Sequence, residues 1–246
     1  MFPIQDTVAK RYPPTVTWLL ILVNAVVFLY QVSLPPPLQE SFIHTFALVP
    51  ARFFGSMAVL RPPEGWSDYL PFLSNIFLHG GWLHLILNMW TLWIFAPAVE
   101  DRLGSLVFLL FYLVCGVAAL PAHALVNASS TVPALGASGA IAGVIGCYVR
   151  LFPFARLVTL VPILFFPVFF EIYAIFYAFF WFITQIIPGL FSLLVPASEG
   201  GIAWWAHIGG FVAGWMPAPT IRRPVRSYRR FYDDEGCYGF FPNGCR

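Results

Sequence analysis

The sequence predicts an all-α, multi-pass membrane protein with six helical crossings. Three observations carry this reading: scarce charge, long charge-free runs, and basic residues collected on one side of the predicted spans. Only 10% of the 246 residues are charged, whereas 59% are hydrophobic and 18% aromatic; soluble domains carry roughly 25% charge. A water-soluble fold leaves about a quarter or more of its unfolded surface exposed and cannot hide this much apolar area. The same composition argues against disorder, nucleic-acid binding and a secreted disulfide scaffold, since charge is scarce, basic residues are not spread over a domain, and there are only four cysteines.

A crossing helix needs about 20 mostly apolar residues. The first such run is Val16 to Leu34; it is longer than a signal-peptide core, lacks a small-residue cleavage site and reads as a retained helix. The second crossing begins near Gly80 or Gly81 and ends before Glu100. Leu103 to Val149 carries no formal charge and holds two crossings, separated by the polar turn Val126 to Pro133. Leu157 to Val195 is ambiguous in length and contains Pro162, Pro167 and Glu171. The last run extends from Gly201 to about Ala218 and precedes IRRPVRSYRR, which should stay cytoplasmic, as should Lys10 and Arg11. Both ends inside requires an even number of crossings, so Leu157 to Val195 supplies one, with its first dozen residues at the cytoplasmic interface. Eleven Lys and Arg then fall inside and only Arg52 and Arg61 outside. The external segment Pro35 to Asp68 contains FALVPARFF, a candidate interfacial piece. The division is a cytoplasmic N-terminal segment (1–15), a membrane domain (16–218) and a basic cytoplasmic tail (219–246) that can grip anionic lipid.

Polar groups inside a bilayer are costly, so each is a functional candidate. The second span opens with HGGWLHLILNMW, the fourth contains GASGAIAGVIG and the sixth contains WWAHIGGFVAGW. His84 and Asn88 lie one turn apart on one helix face. Spans two, four and six all run from outside to inside, so His84, Asn88, Ser138 and His207 share a depth in the outer leaflet. Glycines 136, 139, 143 and 146, with the Gly210 and Gly214 pair, allow close helix packing that brings Ser138 to His207. A serine beside a histidine supplies a nucleophile and a general base, and His84 and Asn88 supply donors for an oxyanion. The amide of Ser138 can join them if its helix begins there. Glu171, entering from the cytoplasmic side, is too deep to orient His207, so a Ser-His dyad is expected rather than a triad.

Taken singly these residues have plainer readings. A lone serine in a membrane helix usually packs or bonds its own backbone, and a lone histidine can be a helix-helix hydrogen bond. Cys115 and Cys147 read as packing residues, while Cys237 and Cys245, with no histidine between them, read as free thiols.

Together, HLILN, the GASG form of GxSG, AHIGGFVAG and the AVEDRLG loop resemble, in order and spacing, the rhomboid family of intramembrane serine proteases over about Thr17 to Trp215. GxSG alone would be weak, because soluble hydrolases carry a similar signature on a strand-turn-helix. The resemblance implies a six-helix rhomboid-like bundle, Ser138 as nucleophile, His207 as base, and His84 and Asn88, with Gly136, at the oxyanion. It also implies that His79 supports the loop before Gly136, with Gly139, Gly143, Gly210 and Gly214 framing the site. Some members place a tyrosine one turn after the serine to stack on the histidine; here that residue is Ala142, so aromatic support must come from elsewhere. Trp204 and Trp205 read as part of an aromatic belt.

The implied activity is serine endopeptidase cleavage of peptide bonds in or near transmembrane segments of other proteins, with no metal or cofactor. Substrate would enter a polar cavity through movement of span five or the loop near Ser198 and Gly200. A catalytically silent relative that binds and escorts membrane clients is the alternative; a transporter would want broken helices and inverted repeats, which are not evident. Partners are transmembrane substrates and membrane lipid, without nucleic acid. The compact N-terminus favours a bacterial or archaeal plasma membrane.

Overall fold

The computed structural model describes residues 2–54, 65–163, 166–194 and 203–221. Arg61, Ser198, Gly200, Cys237, Cys245 and the basic run after Ile221 lie outside the described residues. Seven helices of more than two turns organise the rest: α1 (Thr15–Ser33), α2 (Pro36–Phe46), α3 (Trp82–Leu103), α4 (Ser105–Val126), α5 (Ser138–Leu151), α6 (Ala174–Leu194) and α7 (Trp204–Trp215). Among the described residues four helices, α1, α3, α4 and α6, are long and apolar enough to cross a membrane; α5, with 14 residues, and α7, with 12, are apolar but shorter.

The bundle carries an apolar outer surface around an apolar core that holds some buried polar groups. On α1 the inward positions are Thr17, Leu20, Asn24, Phe28 and Gln31, while Leu19, Leu22, Val26 and Leu29 face outward. Exposed apolar side chains also line α4 (Leu106, Leu110, Val114) and α6 (Phe176, Phe179, Phe180). Water would penalise such a surface and hydrocarbon does not. The chain is an integral membrane protein. At the centre stands α5, every residue of which from Gly139 to Val149 is buried. Its principal neighbour is α7, with α3 and α4 on its other sides.

Carboxylates at the end of α3 fasten the chain leading into α1. Glu100 accepts hydrogen bonds from the backbone N–H groups of Val16 (2.9 Å) and Thr17 (2.8 Å), from the Thr17 hydroxyl (2.8 Å) and from the Ser105 hydroxyl (2.8 Å). Asp101 accepts from the amides of Arg11 (3.1 Å) and Tyr12 (2.8 Å). A carboxylate at a helix N-terminus satisfies donors that have no intrahelical acceptor and complements the helix dipole.

One region departs from the sequence expectation. Where a dozen interfacial residues from Leu157 and then the helix of span five were expected, strands β2 (Arg156–Ile163) and β3 (Phe166–Tyr173) form a hairpin, and α6 begins only at Ala174. The N-terminal strand β1 (Phe2–Asp6) completes an antiparallel sheet in the order β1-β2-β3. The residue types account for this: RLVTLVPI and FPVFFEIY are rich in β-branched and aromatic side chains, and Pro162 lies opposite Pro167, each disfavouring a helix. Glu171 therefore sits on a strand rather than in a helical span, and it pairs with Arg156 at 2.9 Å where both are exposed.

Candidate active site

Ser138 is the first residue of α5 and His207 lies in the first turn of α7. Glycines decide how near these helices come. A Cβ on Gly210 would collide with the carbonyl oxygen of Gly139, and one on Gly214 with that of Gly143. A Cβ on Gly143 would lie 3.1 Å from the Gly210 carbonyl and 2.6 Å from the Cys115 side chain on α4. With backbones in direct contact, Ser138 Oγ stands 2.8 Å from His207 Nε2.

The second group comes from α3. Gly136, at φ +130°, occupies backbone space that side chains rarely adopt, and a Cβ there would lie 2.9 Å from His84 Nε2 and 3.7 Å from Asn88 Nδ2. The Gly80 amide donates to His84 Nδ1 (3.4 Å), which leaves Nε2 to carry the proton and face Gly136. Asn88 Nδ2 is buried and makes no hydrogen bond among the described residues. The chain entering Gly136 is pinned twice: Leu48 and Ala134 exchange backbone hydrogen bonds (3.0 and 2.7 Å), and the Gly136 amide donates to the Asn75 carbonyl (2.9 Å).

His79 is fully buried on the other side of His84, their rings 5.1 Å apart and edge-on. Its backbone is held by Gln31 of α1, whose Nε2 donates to the His79 carbonyl (2.7 Å) and whose Oε1 accepts from the His79 amide (3.3 Å). Burial, with His84 alongside, pushes its imidazole down to about 4. His79 thus joins α1 to the α3 entry and meets the Gly136 region through His84.

Sequence reasoning missed the contribution of α6. Gln185 is buried and its Oε1 lies 2.7 Å from His207 Nδ1. The Trp181 ring lies 6.3 Å from the imidazole and tilted by 35°, on the histidine for which Ala142 provides no ring. Trp204 meets the same imidazole edge-on at 6.2 Å, so it contacts the site instead of standing only in an aromatic belt. Gln185 had a visible signal: it is an uncharged but strongly polar residue in an otherwise apolar run, and the rule that singles out polar groups in lipid applies to it. Glu171 is remote by position, on the hairpin that follows the far end of α5. A groove of about 430 Å³ lined by Arg156, Glu171, Tyr173 and Phe176 also lies on that hairpin. A hydroxyl against an imidazole, with imidazole and amide N–H groups bordering the adjacent glycine, is equipment suited to acyl transfer.

The chain is similar to known proteins over much of its length. The model of the Rhomboid domain matches residues 66–224. Rhomboid protein 1, mitochondrial, of Saccharomyces cerevisiae is 26% identical over 240 residues, covering 91% of this chain and 58% of its own length. A Bacillus subtilis protein provisionally named a rhomboid protease is 34% identical over 138 residues, covering 56% of this chain and 62% of its own. Rhomboid-like protease 5 of Toxoplasma gondii is 27% identical over 184 residues, covering 72% of this chain and 19% of its own. The chain thus spans about three-fifths of the length of the first two relatives and a fifth of the third. With the match extending over more than half of the chain, this integral membrane protein belongs to the rhomboid family.

Proposed function

We propose that the protein is an intramembrane serine endopeptidase that cleaves other membrane proteins in or near their transmembrane segments. The observation that carries this reading is the 2.8 Å approach of Ser138 Oγ to His207 Nε2, with His84 and Asn88 set against Gly136 two residues before the serine. The Ser138 oxygen attacks the scissile carbonyl carbon while its proton passes to Nε2, and the carbonyl oxygen takes the negative charge. Nε2 then returns that proton to the leaving nitrogen as the C–N bond breaks, leaving an acyl ester on Ser138. Water repeats the sequence: its proton goes to Nε2, its oxygen bonds to the acyl carbon, and the proton returns to Ser138 Oγ as the acid departs.

The charge on the oxygen would be met by His84 Nε2–H, the Asn88 amide and the first N–H groups of α5, which have no intrahelical acceptor. A helical substrate hides its carbonyls in backbone hydrogen bonds and must unwind locally, so segments with small or helix-breaking residues near the outer interface should be favoured. In this reading both termini lie in the cytoplasm of a bacterial or archaeal cell and the short helices α5 and α7 count as crossings to give six; the excess of Lys and Arg at the two ends supports the orientation. Reporter fusions at the two ends test this, and fractionation of the chain with mitochondria would oppose it.

A fluorophosphonate probe tests the chemistry. The purified full chain should acquire a covalent adduct on Ser138, located by peptide mass spectrometry, and His207→Ala should suppress it. A folded wild-type chain inert to the probe would favour the client-escorting alternative.

A further inference from the structure

We infer that Gln185 is a positioning residue that fixes the tautomer and ring orientation of His207, so that the Ser-His pair of α5 and α7 is held in its working geometry by α6. The inference rests on the hydrolase reading above and names the third group that the sequence did not supply.

Gln185 Nε2 lies 2.8 Å from Thr184 Oγ1 and 3.2 Å from the Trp181 carbonyl. The Thr184 hydroxyl spends its proton on that same carbonyl, at 2.6 Å, so its oxygen is left to accept. Two acceptors on one side require the NH₂ there, and the carbonyl Oε1 is turned towards His207. An oxygen with no proton, 2.7 Å from Nδ1, requires Nδ1 to be the protonated nitrogen. Nε2 then presents its lone pair to the Ser138 hydroxyl, the arrangement a general base needs. The opposite tautomer would set a lone pair against Oε1 and an N–H against Ser138.

Burial strengthens the case. Gln185 is only 6% exposed, so water does not readily substitute for either of its ends. A neutral amide also suits this site better than a carboxylate, because a lone anion in an apolar bundle would be costly to ionise. Its carbonyl dipole is nonetheless aimed at the nitrogen that shares positive charge once Nε2 has taken the serine proton. Since α6 also brings the Trp181 ring to the imidazole, any excursion of α6 that admits substrate would loosen His207, and its return would restore the base.

The test compares the full-length protein in proteoliposomes with Gln185→Leu, Gln185→Glu and Thr184→Val. The readouts are the fluorophosphonate reaction rate at Ser138, which does not depend on admitting a helix, and kcat and KM for a transmembrane reporter. Gln185→Leu should lower the labelling rate and kcat together by about 10- to 100-fold with KM little changed, because the base is misoriented while substrate binding persists. Gln185→Glu, which keeps an oxygen at Nδ1 but adds the cost of a buried carboxyl, should recover part of that loss. Thr184→Val, an exposed and mild change that frees the amide to flip, should lower the labelling rate by about threefold; it serves if Gln185→Leu does not fold. A wild-type labelling rate in Gln185→Leu, or equal impairment in Leu and Glu, would overturn the positioning role while leaving the hydrolase reading intact. Absence of labelling in the wild type would remove both.

Discussion

At Gly136 one hydrogen atom keeps a site open. Its φ of +130° strains any side chain, and a Cβ would press to 2.8 Å on the His84 ring. Gly136→Ala should therefore cost about 1–3 kcal/mol of stability and most of the activity, measured by denaturation and reporter cleavage. Asn88 carries a different expectation, because its Nδ2 has no partner among the described residues to lose. Asn88→Ala should lower kcat by roughly 10²–10³ with KM little changed and the fold intact, as steady-state kinetics will show. His79 gives a pH signature. Its imidazole is held at about 4 against an ordinary 6.5, so the unfolded chain binds a proton that the folded chain refuses between those values. Stability from this group is complete above the ordinary value and drains away as pH falls towards 4, by up to about 3 kcal/mol. Thermal unfolding of His79→Phe should accordingly depend less on acidification than that of the wild type. Residues of this kind were legible as polar groups in apolar runs, most clearly where two are spaced by a turn, as His84 and Asn88 are. Gln185 carries the same general mark, but its pairing with a histidine 22 residues away on another helix has no local sign.

Helix α5 illustrates how an element serves the site. Gly146 faces a carbonyl of α7, and Gly210 and Gly214 of α7 face carbonyls of α5, with no room for a methyl group, so the two N-terminal ends are set by backbone contact rather than by adjustable side chains. Gly214→Val should push the helices apart, destabilise the protein by about 2 kcal/mol or more, and suppress fluorophosphonate labelling through loss of the Ser138 to His207 approach. Removing Glu100 should instead free the start of α1: Glu100→Ala leaves two backbone donors and two hydroxyls without their acceptor and should cost about 3 kcal/mol in thermal unfolding experiments. The glycine frame was visible in sequence because small residues recur every three or four positions. The hairpin was not: a long apolar run reads alike as a buried helix or as paired strands, and only the β-branched and aromatic bias with opposed prolines distinguishes them.

Over the whole molecule, large apolar side chains line the outside as well as the core, and the excess of apolar residues that this requires was legible as composition alone. Composition could not show how unequal the helices are. With 14 residues, α5 is about 21 Å long, well under the roughly 30 Å of a typical hydrocarbon core. Enclosed by its neighbours, α5 need not span the hydrocarbon, so Ser138 at its first position can lie at the floor of a recess that water enters from the surface, deeper as the bilayer thickens. Proteoliposomes made from lipids of progressively longer acyl chain should therefore show declining turnover at constant protein folding. The central claim, that one serine and one histidine from different helices cut a peptide bond, is tested most directly by co-expression with a panel of single-span membrane reporters. The wild type should release a truncated fragment from at least one reporter, and neither Ser138→Ala nor His207→Ala should do so. Cleavage at a comparable rate by folded Ser138→Ala would contradict the claim outright.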